Sequence, residues 1–168
     1  MEPIYYAFAL LLVLVGLIQS ALLSWVHIAG VHPDLMLVVV ISWSLMGGIR
    51  PGLIAALIGG IVLDLLSAAP FGVFTASLIG ASLVSSIVAV SFFRSRALLP
   101  IGAALFGTLG YYGLSLILLY VAGHNVQGLD TLRRVVLPSL PINLVLIVIV
   151  FPAVRWLYRQ VGPREIEW

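Results

Sequence analysis

The sequence predicts an all-α polytopic membrane protein with six transmembrane helices in a single integral membrane domain, residues 1–168. Composition is the first reason: 62% of the residues are hydrophobic and 8% are charged, whereas soluble domains carry about 25% charged residues. The second reason is pattern, since long apolar runs alternate with short segments that hold arginine, proline and glycine. A chain of this length cannot bury so much apolar surface in water, so the surrounding solvent is expected to be lipid.

The apolar runs set the order of the predicted helices. They comprise residues 4–26, 35–49, 52–66, 71–93, 97–121 and 138–157. The first run has tyrosines at its start and Trp25 near its end, which is typical of a helix whose ends lie at the two membrane interfaces. It lacks the basic segment of a secretory signal, so it is expected to remain in the protein.

The second and third runs form a predicted hairpin around the turn Gly-Gly-Ile-Arg-Pro-Gly, residues 47–52. Each run has 15 residues, so each helix reaches about 22 Å, whereas a bilayer core is about 30 Å thick. Short spans need a thinned bilayer or shelter from longer neighbours. We therefore expect this hairpin in the interior of the bundle.

Rows of small residues at four-residue spacing indicate where helices pack closely. They are Gly52, Ala56 and Gly60 in the third run, Ser77, Ala81 and Ser85 in the fourth, and Ala103 and Gly107 in the fifth. Such rows let backbones approach in lipid, where no hydrophobic force drives helices together. Packing within the bundle is the favoured interpretation, and a face kept for another protein's helix is the alternative.

The basic residues, all of them arginine, predict the orientation. With six spans, the side that holds both termini receives Arg50, Arg94, Arg96, Arg155, Arg159 and Arg164, and the other side receives Arg133 and Arg134. Loops rich in arginine stay in the cytoplasm. Both termini are therefore expected to be cytoplasmic.

Two carboxylates lie in or beside the apolar runs. Asp64 is near the end of the third run, where lipid and the helix dipole both disfavour a negative charge. We expect the free N–H groups at the start of the fourth helix to hold it, with a partner protein or a ligand as the alternatives. Asp34 follows Pro33 at the start of the second run, which predicts an N-terminal cap. Both carboxylates are expected on the outer side, where they could share one polar site.

The longest polar stretch, residues 122–137, holds Arg133 and Arg134 together with apolar residues at positions 129, 132, 135 and 136. This spacing predicts a short helix lying on the membrane surface. It is interpreted either as an anchor for the last span or as docking ground for a partner protein.

The sequence disfavours several functional classes. With no cysteine there is no disulfide framework and no thiolate metal site. A net charge of +2 is too small and too dispersed to indicate nucleic-acid binding. The motifs of serine hydrolases, zinc proteases and phosphate-binding loops do not occur. We therefore predict no enzymatic activity, no metal and no cofactor.

Three motifs in a fixed order carry a resemblance to a known family. They are Pro33-Asp34-Leu35, Gly48-Ile49-Arg50-Pro51-Gly52, and Leu63-Asp64-Leu65-Leu66-Ser67 followed by Pro70-Phe71-Gly72. With Pro141, Asn143 and Pro152 in the last span, the chain resembles the bacterial rod shape-determining protein MreD family over nearly its whole length. The resemblance implies eight signature positions, namely Asp34, Arg50, Pro51, Gly52, Asp64, Ser67, Pro70 and Gly72.

The resemblance also implies a function and a set of partners. It implies a six-span inner-membrane protein of the cell-elongation machinery, with a fold similar to the substrate-binding S-components of energy-coupling-factor transporters. The implied partners are an MreC-like membrane-anchored protein, the actin-like MreB, and a RodA-type glycan polymerase with its transpeptidase. A non-catalytic scaffold is the favoured function, and a small-molecule or lipid-binding carrier is the alternative. A cavity lined by Asp34, Asp64 and aromatic residues would favour the carrier.

Overall fold

The computed structural model describes residues 3–21, 31–91, 99–124 and 128–161. These residues form helices and no strand, so the all-α prediction is confirmed. The helices are α1 (Pro3–Ala21), α2 (Leu35–Gly47), α3 (Ile49–Leu66), α4 (Val73–Ser91), α5 (Leu99–Val121), the four-residue α6 (Gly128–Thr131) and α7 (Leu137–Val161). A π-helical turn, Leu132–Val136, joins α6 to α7.

Three helical stretches are long and apolar enough to cross a membrane. They are Ile49–Leu66, Leu99–Val121 and Leu132–Gln160. Three shorter apolar stretches accompany them, Phe8–Ala21, Leu35–Gly47 and Val73–Ala89. Six apolar helices agree with the predicted number, and crossing by the three shorter ones stays a prediction. Residues 22–26, 92–93 and 97–98 of the predicted spans lie outside the described part of the chain.

Helix α2 is the centre of the bundle. Every residue from Met36 to Ser44 is buried, and the helix packs against α1, α3, α4, α5 and α7. A helix that is apolar all round is stable only where neighbours or lipid cover every face. Its two serine hydroxyls donate to the carbonyls one turn earlier, at 2.7 and 2.8 Å, so burial leaves neither hydroxyl unpaired. The expected interior position of the hairpin is confirmed for this helix.

Helix α3 is buried on one face only. The buried residues are Gly52, Ala55, Ala56, Gly59, Gly60, Leu63 and Asp64. On the opposite face Ile54, Leu57 and Leu65 are exposed. The prediction that the whole hairpin lies inside the bundle is therefore wrong for α3. An apolar face can remain outside the bundle because lipid, unlike water, solvates it.

The break between α2 and α3 is a single residue. Gly48 has a φ of 73°, in the left-handed region that favours glycine. Its amide donates to the carbonyl of Ser44 at 2.9 Å and closes α2. Arg50 and Pro51 therefore lie in the first turn of α3 and not in a separate turn, as the sequence motif suggested. Proline fits there because the amide groups of a first turn have no partner inside the helix.

The rows of small residues pack inside the bundle. Gly60 of α3 lies so close to the Cα of Thr75 that a Cβ at this position would collide with the backbone of α4. Gly107 of α5 also lies at a close approach, where a Cβ would meet the side chains of Ile41 in α2 and Ser85 in α4. The favoured interpretation of these rows, packing between helices of the same chain, is confirmed for α3, α4 and α5.

The stretch before α7 is not a separate surface helix. The amide of Leu137 donates to the carbonyl of Leu132, the five-residue step of a π-helix, and the backbone remains helical on both sides. Pro138 follows, and in a regular α-helix its ring would clash with the carbonyl four residues earlier. We attribute the wider π-helical turn to this proline. The predicted helix is thus not separate from the last span, since Leu132–Gln160 is one continuous apolar stretch, and its position on the membrane surface stays a prediction.

The bundle has a carboxylate end, defined by Asp34 and Asp64, and a hairpin end, defined by Gly48. At the hairpin end the rings of Trp43 and Tyr158 are in edge contact, with centroids 4.8 Å apart. The last turns of α7 therefore lie beside the start of α3. Three arginines of the predicted inner side, Arg50, Arg155 and Arg159, therefore lie at the same end of the bundle.

Candidate functional site

Asp64 binds the N-terminus of the following helix. Its Oδ1 accepts the amide of Phe74 at 3.0 Å, and its Oδ2 accepts the amide of Thr75 at 3.1 Å. The Thr75 hydroxyl also donates to Oδ2, at 2.5 Å. These amides are among the first donors of α4, which have no partner inside the helix. The expected contact between Asp64 and the start of the fourth helix is confirmed.

The turn between α3 and α4 holds this contact in place. The Ser67 hydroxyl accepts the amide of Ala69 at 2.9 Å, and the carbonyl of Pro70 accepts the amide of Val73 at 3.3 Å. Gly72 has a φ of 98°, which side chains other than glycine rarely permit. Three of the eight signature positions thus shape a turn that brings the amides of α4 to Asp64.

Asp34 lies at the N-cap position of α2 but does not cap it with its side chain. Gln19 of α1 does so instead: its Oε1 accepts the amide of Met36 at 2.6 Å, and its Nε2 donates to Asp34 Oδ1 at 2.9 Å. The Asp34 amide donates to Oδ1 of Asn143 in α7 at 3.3 Å. The predicted capping role of Asp34 is therefore wrong. This residue joins three helices because its partners lie on α1 and α7.

Two tyrosines of α5 complete the surroundings of Asp34. Tyr111 and Tyr112 both interact with its carboxylate through their hydroxyls, and Tyr112 also lies beside Ser139 at the start of α7. Tyr111 lies close to Asp64 as well. The two carboxylates therefore lie near one tyrosine at the same end of the bundle. Each nevertheless has its own set of partners, so the predicted shared polar site is only partly formed.

Two cavities of about 270 and 290 Å³ adjoin Asp34. Both are lined by Gln19, His32, Asp34, Phe74 and Tyr111. The first extends to the last turn of α3 and the second to α5 and the π-helical turn. Concave, mostly apolar walls with a few convergent polar groups are typical of small-molecule sites. The cavity that would favour a carrier is thus present around Asp34 and aromatic residues, while Asp64 lines neither part.

Sequence reasoning found the two carboxylates but not the side chains around Asp34. Gln19, Tyr111 and Tyr112 are not among the site residues predicted from the sequence. A signal was present, because an amide and two adjacent tyrosines inside apolar runs are expensive in lipid unless each finds a partner. Which partner each one finds depends on how the helices are rotated, and the apolar periodicity of these runs does not specify that.

Comparison with known proteins decides the family. The model of a family described as rod shape-determining protein MreD matches residues 1–161 of the 168-residue chain. The chain belongs to the MreD family. Neither the curated proteins nor the solved structures gave a match. The resemblance inferred from the motifs is therefore confirmed, whereas the likeness to transporter S-components stays a prediction.

The second MreD motif has one structural and one exposed part. Gly52 lies against the hydroxyls of Ser44 and Ser82, which hydrogen-bond to each other at 2.8 Å, so a larger residue would not fit. Arg50 is exposed, and among the described residues its side chain has no hydrogen bond or ion pair. Folding within this part of the chain therefore accounts for the glycine but not for the arginine.

Arg133 and Arg134 are similar to Arg50 in this respect. Both are exposed on the π-helical turn, and the described residues offer neither side chain a hydrogen bond or an ion pair. They lie at the carboxylate end, since neighbouring Val135 lines a cavity shared with Asp34. This protein of the MreD family thus presents, at both ends of the bundle, arginines that the described residues leave unpaired.

The described residues do not form a recognisable catalytic arrangement. They contain no group of three or more histidine, aspartate or glutamate side chains that could hold a metal ion. Asp64 is fully engaged by α4, and Asp34 accepts a hydrogen bond from the Gln19 amide. This arrangement suits holding helices together and binding a group beside Asp34.

Proposed function

We propose that this chain is a non-catalytic scaffold of the cell-elongation machinery in the bacterial inner membrane, where it binds an MreC-like membrane-anchored partner. The observation that carries the proposal is the match of the MreD family to residues 1–161, because that family determines rod shape. Cell-wall synthesis along the cell body requires proteins on both sides of the membrane to be held together. A small polytopic protein without catalytic groups is suited to that task.

The wider set of partners follows from the family. We propose that an MreB-like actin is reached on the cytoplasmic side, and that a RodA-type glycan polymerase with its transpeptidase joins the same assembly in the membrane. The rows of small residues are occupied by contacts within the chain. Partner binding is therefore assigned to other surfaces, with Arg50 at the hairpin end and Arg133 and Arg134 at the carboxylate end as the candidate contacts.

Replacing Arg133 and Arg134 together with Ala tests this assignment. The variant is expected to insert and fold normally, because neither side chain has a partner among the described residues. On co-purification in mild detergent, however, it should recover several-fold less MreC-like partner than the wild type. The deficit should narrow as salt rises, because ions screen the same contacts in the wild type. The matched control, Arg155→Ala with Arg159→Ala, changes the same charge at the hairpin end. Equal recovery by both double variants and wild type at low salt excludes the π-helical turn as the docking site.

We also propose that both termini and the hairpin end face the cytoplasm, because six of the eight arginines would then lie inside. The chain has no cysteine, so single cysteines report position directly. In His124→Cys, at the carboxylate end, the thiol is expected to react with an impermeant maleimide on cells with a permeabilised outer membrane. In Gln160→Cys, near the end of α7, the thiol should react only after lysis. Labelling in the reverse order would invert the assignment of both ends.

A second function, a carrier or binding module of the S-component type, is favoured by one observation. The cavities beside Asp34 combine a carboxylate, phenols and aromatic rings in mostly apolar walls. A scaffold that only joins other proteins has no need for such a chamber. The two functions are compatible, since a bound molecule at one end leaves the rest of the surface free for partners.

A further inference from the structure

Within the described part of the chain, the two cavities beside Asp34, here called the chamber, bring a carboxylate to aromatic walls. The Asp34 side chain is only 7% exposed, yet it lines both cavities. Phe74 of α4 and Tyr111 of α5 line both as well, with nearly parallel rings whose centroids are 6.5 Å apart. Polar groups and rings on four different helices therefore converge on one space, as they do in sites for small molecules.

The charge of this chamber determines what it can hold. The groups around the Asp34 carboxylate include the Gln19 amide, which donates to Oδ1, and the hydroxyls of Tyr111 and Tyr112. All of them are neutral. A buried carboxylate is costly unless it is paired with a positive charge. A cation entering the chamber would recover part of that cost, whereas an anion would be repelled.

The walls narrow the class of cation further. Aromatic faces attract organic cations through the quadrupole of the ring, and carboxylate-plus-aromatic surroundings suit an ammonium group. The remaining lining is mostly apolar, with Leu63 and Leu66 on one side and Leu116 and Leu119 on the other, beside His32 and a few hydroxyl side chains. A hydrated metal ion would gain little from such walls, and one carboxylate is too few ligands to hold it. A molecule with an ammonium head and an apolar body fits both features.

We infer that the chamber at the carboxylate end is a binding site for an organic ammonium compound, with the ammonium group at Asp34 between the rings of Phe74 and Tyr111 and the apolar body along the leucines. The same chemistry is offered by a free amine and by the head of an aminolipid. This inference does not depend on the scaffold function, because its site lies inside the bundle and its test uses the isolated chain.

The experiment is a titration of the purified full chain in a neutral detergent, read by intrinsic fluorescence and by melting temperature. The probes are phenethylammonium, the neutral 2-phenylethanol and the anionic 3-phenylpropionate. Phenethylammonium should bind saturably and raise the melting temperature. The neutral probe should bind about tenfold more weakly or worse, and the anion should show no saturable binding. Equal affinity for the charged and neutral probes would overturn the inference.

Two pairs of variants locate the site. Asp34→Asn should weaken phenethylammonium binding by about tenfold or more, since it removes the charge with little change in shape, whereas Asp130→Asn, at an exposed position, should not. Because Asp34→Asn also alters a contact between helices, Leu116→Trp provides an independent test: it fills the cavity and should abolish binding. Leu109→Trp, on the same helix but 42% exposed, is its control. Unchanged binding in Leu116→Trp would rule out this chamber.

Reconstitution into lipid distinguishes the two sources of the ammonium group, a free amine and the head of an aminolipid. In nanodiscs of phosphatidylglycerol alone, phenethylammonium should bind as it does in detergent. Adding phosphatidylethanolamine should raise its apparent Kd if an aminolipid head occupies the chamber, and should leave it unchanged if the occupant is a free amine. None of these measurements uses recovery of an MreC-like partner. A negative result for ligand binding in the chamber can therefore be distinguished from a negative result for the scaffold function.

Discussion

Asp64→Leu is expected to lower the free energy of unfolding by up to about 2–6 kcal/mol, because two partly buried backbone amides of α4 lose their acceptor and each costs about 1–3 kcal/mol when buried. The amides are those of Phe74 and Thr75, which lie at 3.0 and 3.1 Å from the two carboxylate oxygens. Leucine occupies a similar volume and offers no acceptor. The measurement is the melting temperature of the purified chain in mild detergent.

Asp64→Asn separates hydrogen bonding from charge. Its single oxygen can accept a hydrogen bond from one of the two amides. Its NH₂ group can donate to the Thr75 hydroxyl, provided that the hydroxyl rotates so that its oxygen accepts. We expect a melting temperature between those of the wild type and Asp64→Leu, and closer to the wild type. Asp130→Leu, at an exposed position, should melt like the wild type. If Asp64→Leu also melted like the wild type, the contact with α4 would contribute nothing to stability, and a role in partner binding would be favoured.

Gly60→Ala is the second large expected effect. A Cβ at this position would collide with the Cα of Thr75 in the neighbouring helix, and a backbone atom cannot move aside as the end of a side chain can. Separating α3 from α4 is expected to cost about 1–3 kcal/mol, the usual range for an overpacked core. The separation also stretches the hydrogen bonds of Asp64, so the effect should fall at the upper end of that range. Thermal unfolding in detergent measures it.

Gly113→Ala is the matched control, because a Cβ at this position of α5 meets no heavy atom within 4 Å. Alanine forms helices better than glycine by about 1 kcal/mol in water, so this variant should be neutral or slightly stabilised. If Gly113→Ala lost as much stability as Gly60→Ala, the loss would be a general effect of replacing a helical glycine in this protein. The close approach of α3 to α4 would then not be the cause.

The contact of Asp64 could be predicted from the sequence because its partners are near in the chain. Only ten residues separate it from Phe74, and a turn of that length returns the next helix to the carboxylate whatever the rest of the bundle does. The cluster around Asp34 is different, because Gln19 is 15 residues away and Asn143 is 109 residues away. Whether these side chains meet depends on the rotation of α1 and α7 about their axes.

The apolar sequence of the hairpin predicted two membrane helices, but it did not predict which of them lies at the centre of the bundle. Helices α2 and α3 are both apolar on all sides, so nothing in their periodicity distinguished the central helix from the one with a face outside the bundle. In water the apolar stripe of a helix marks its buried side. In lipid this signal is lost, and small residues such as Gly60 take its place because only they allow two backbones to approach.

The sequence by itself determined the membrane class, the approximate limits of the apolar helices, the family and the bond from Asp64 to the next helix. Each depends on composition, on the order of motifs or on contacts between neighbouring segments. The tertiary structure alone decided that α2 is the centre, that Leu132–Gln160 is one continuous stretch, and that Gln19, Tyr111 and Asn143 gather around Asp34. The physical reason is that lipid accepts any apolar face, so the rotation and order of the helices are set by a few polar contacts and close approaches between segments far apart in the chain.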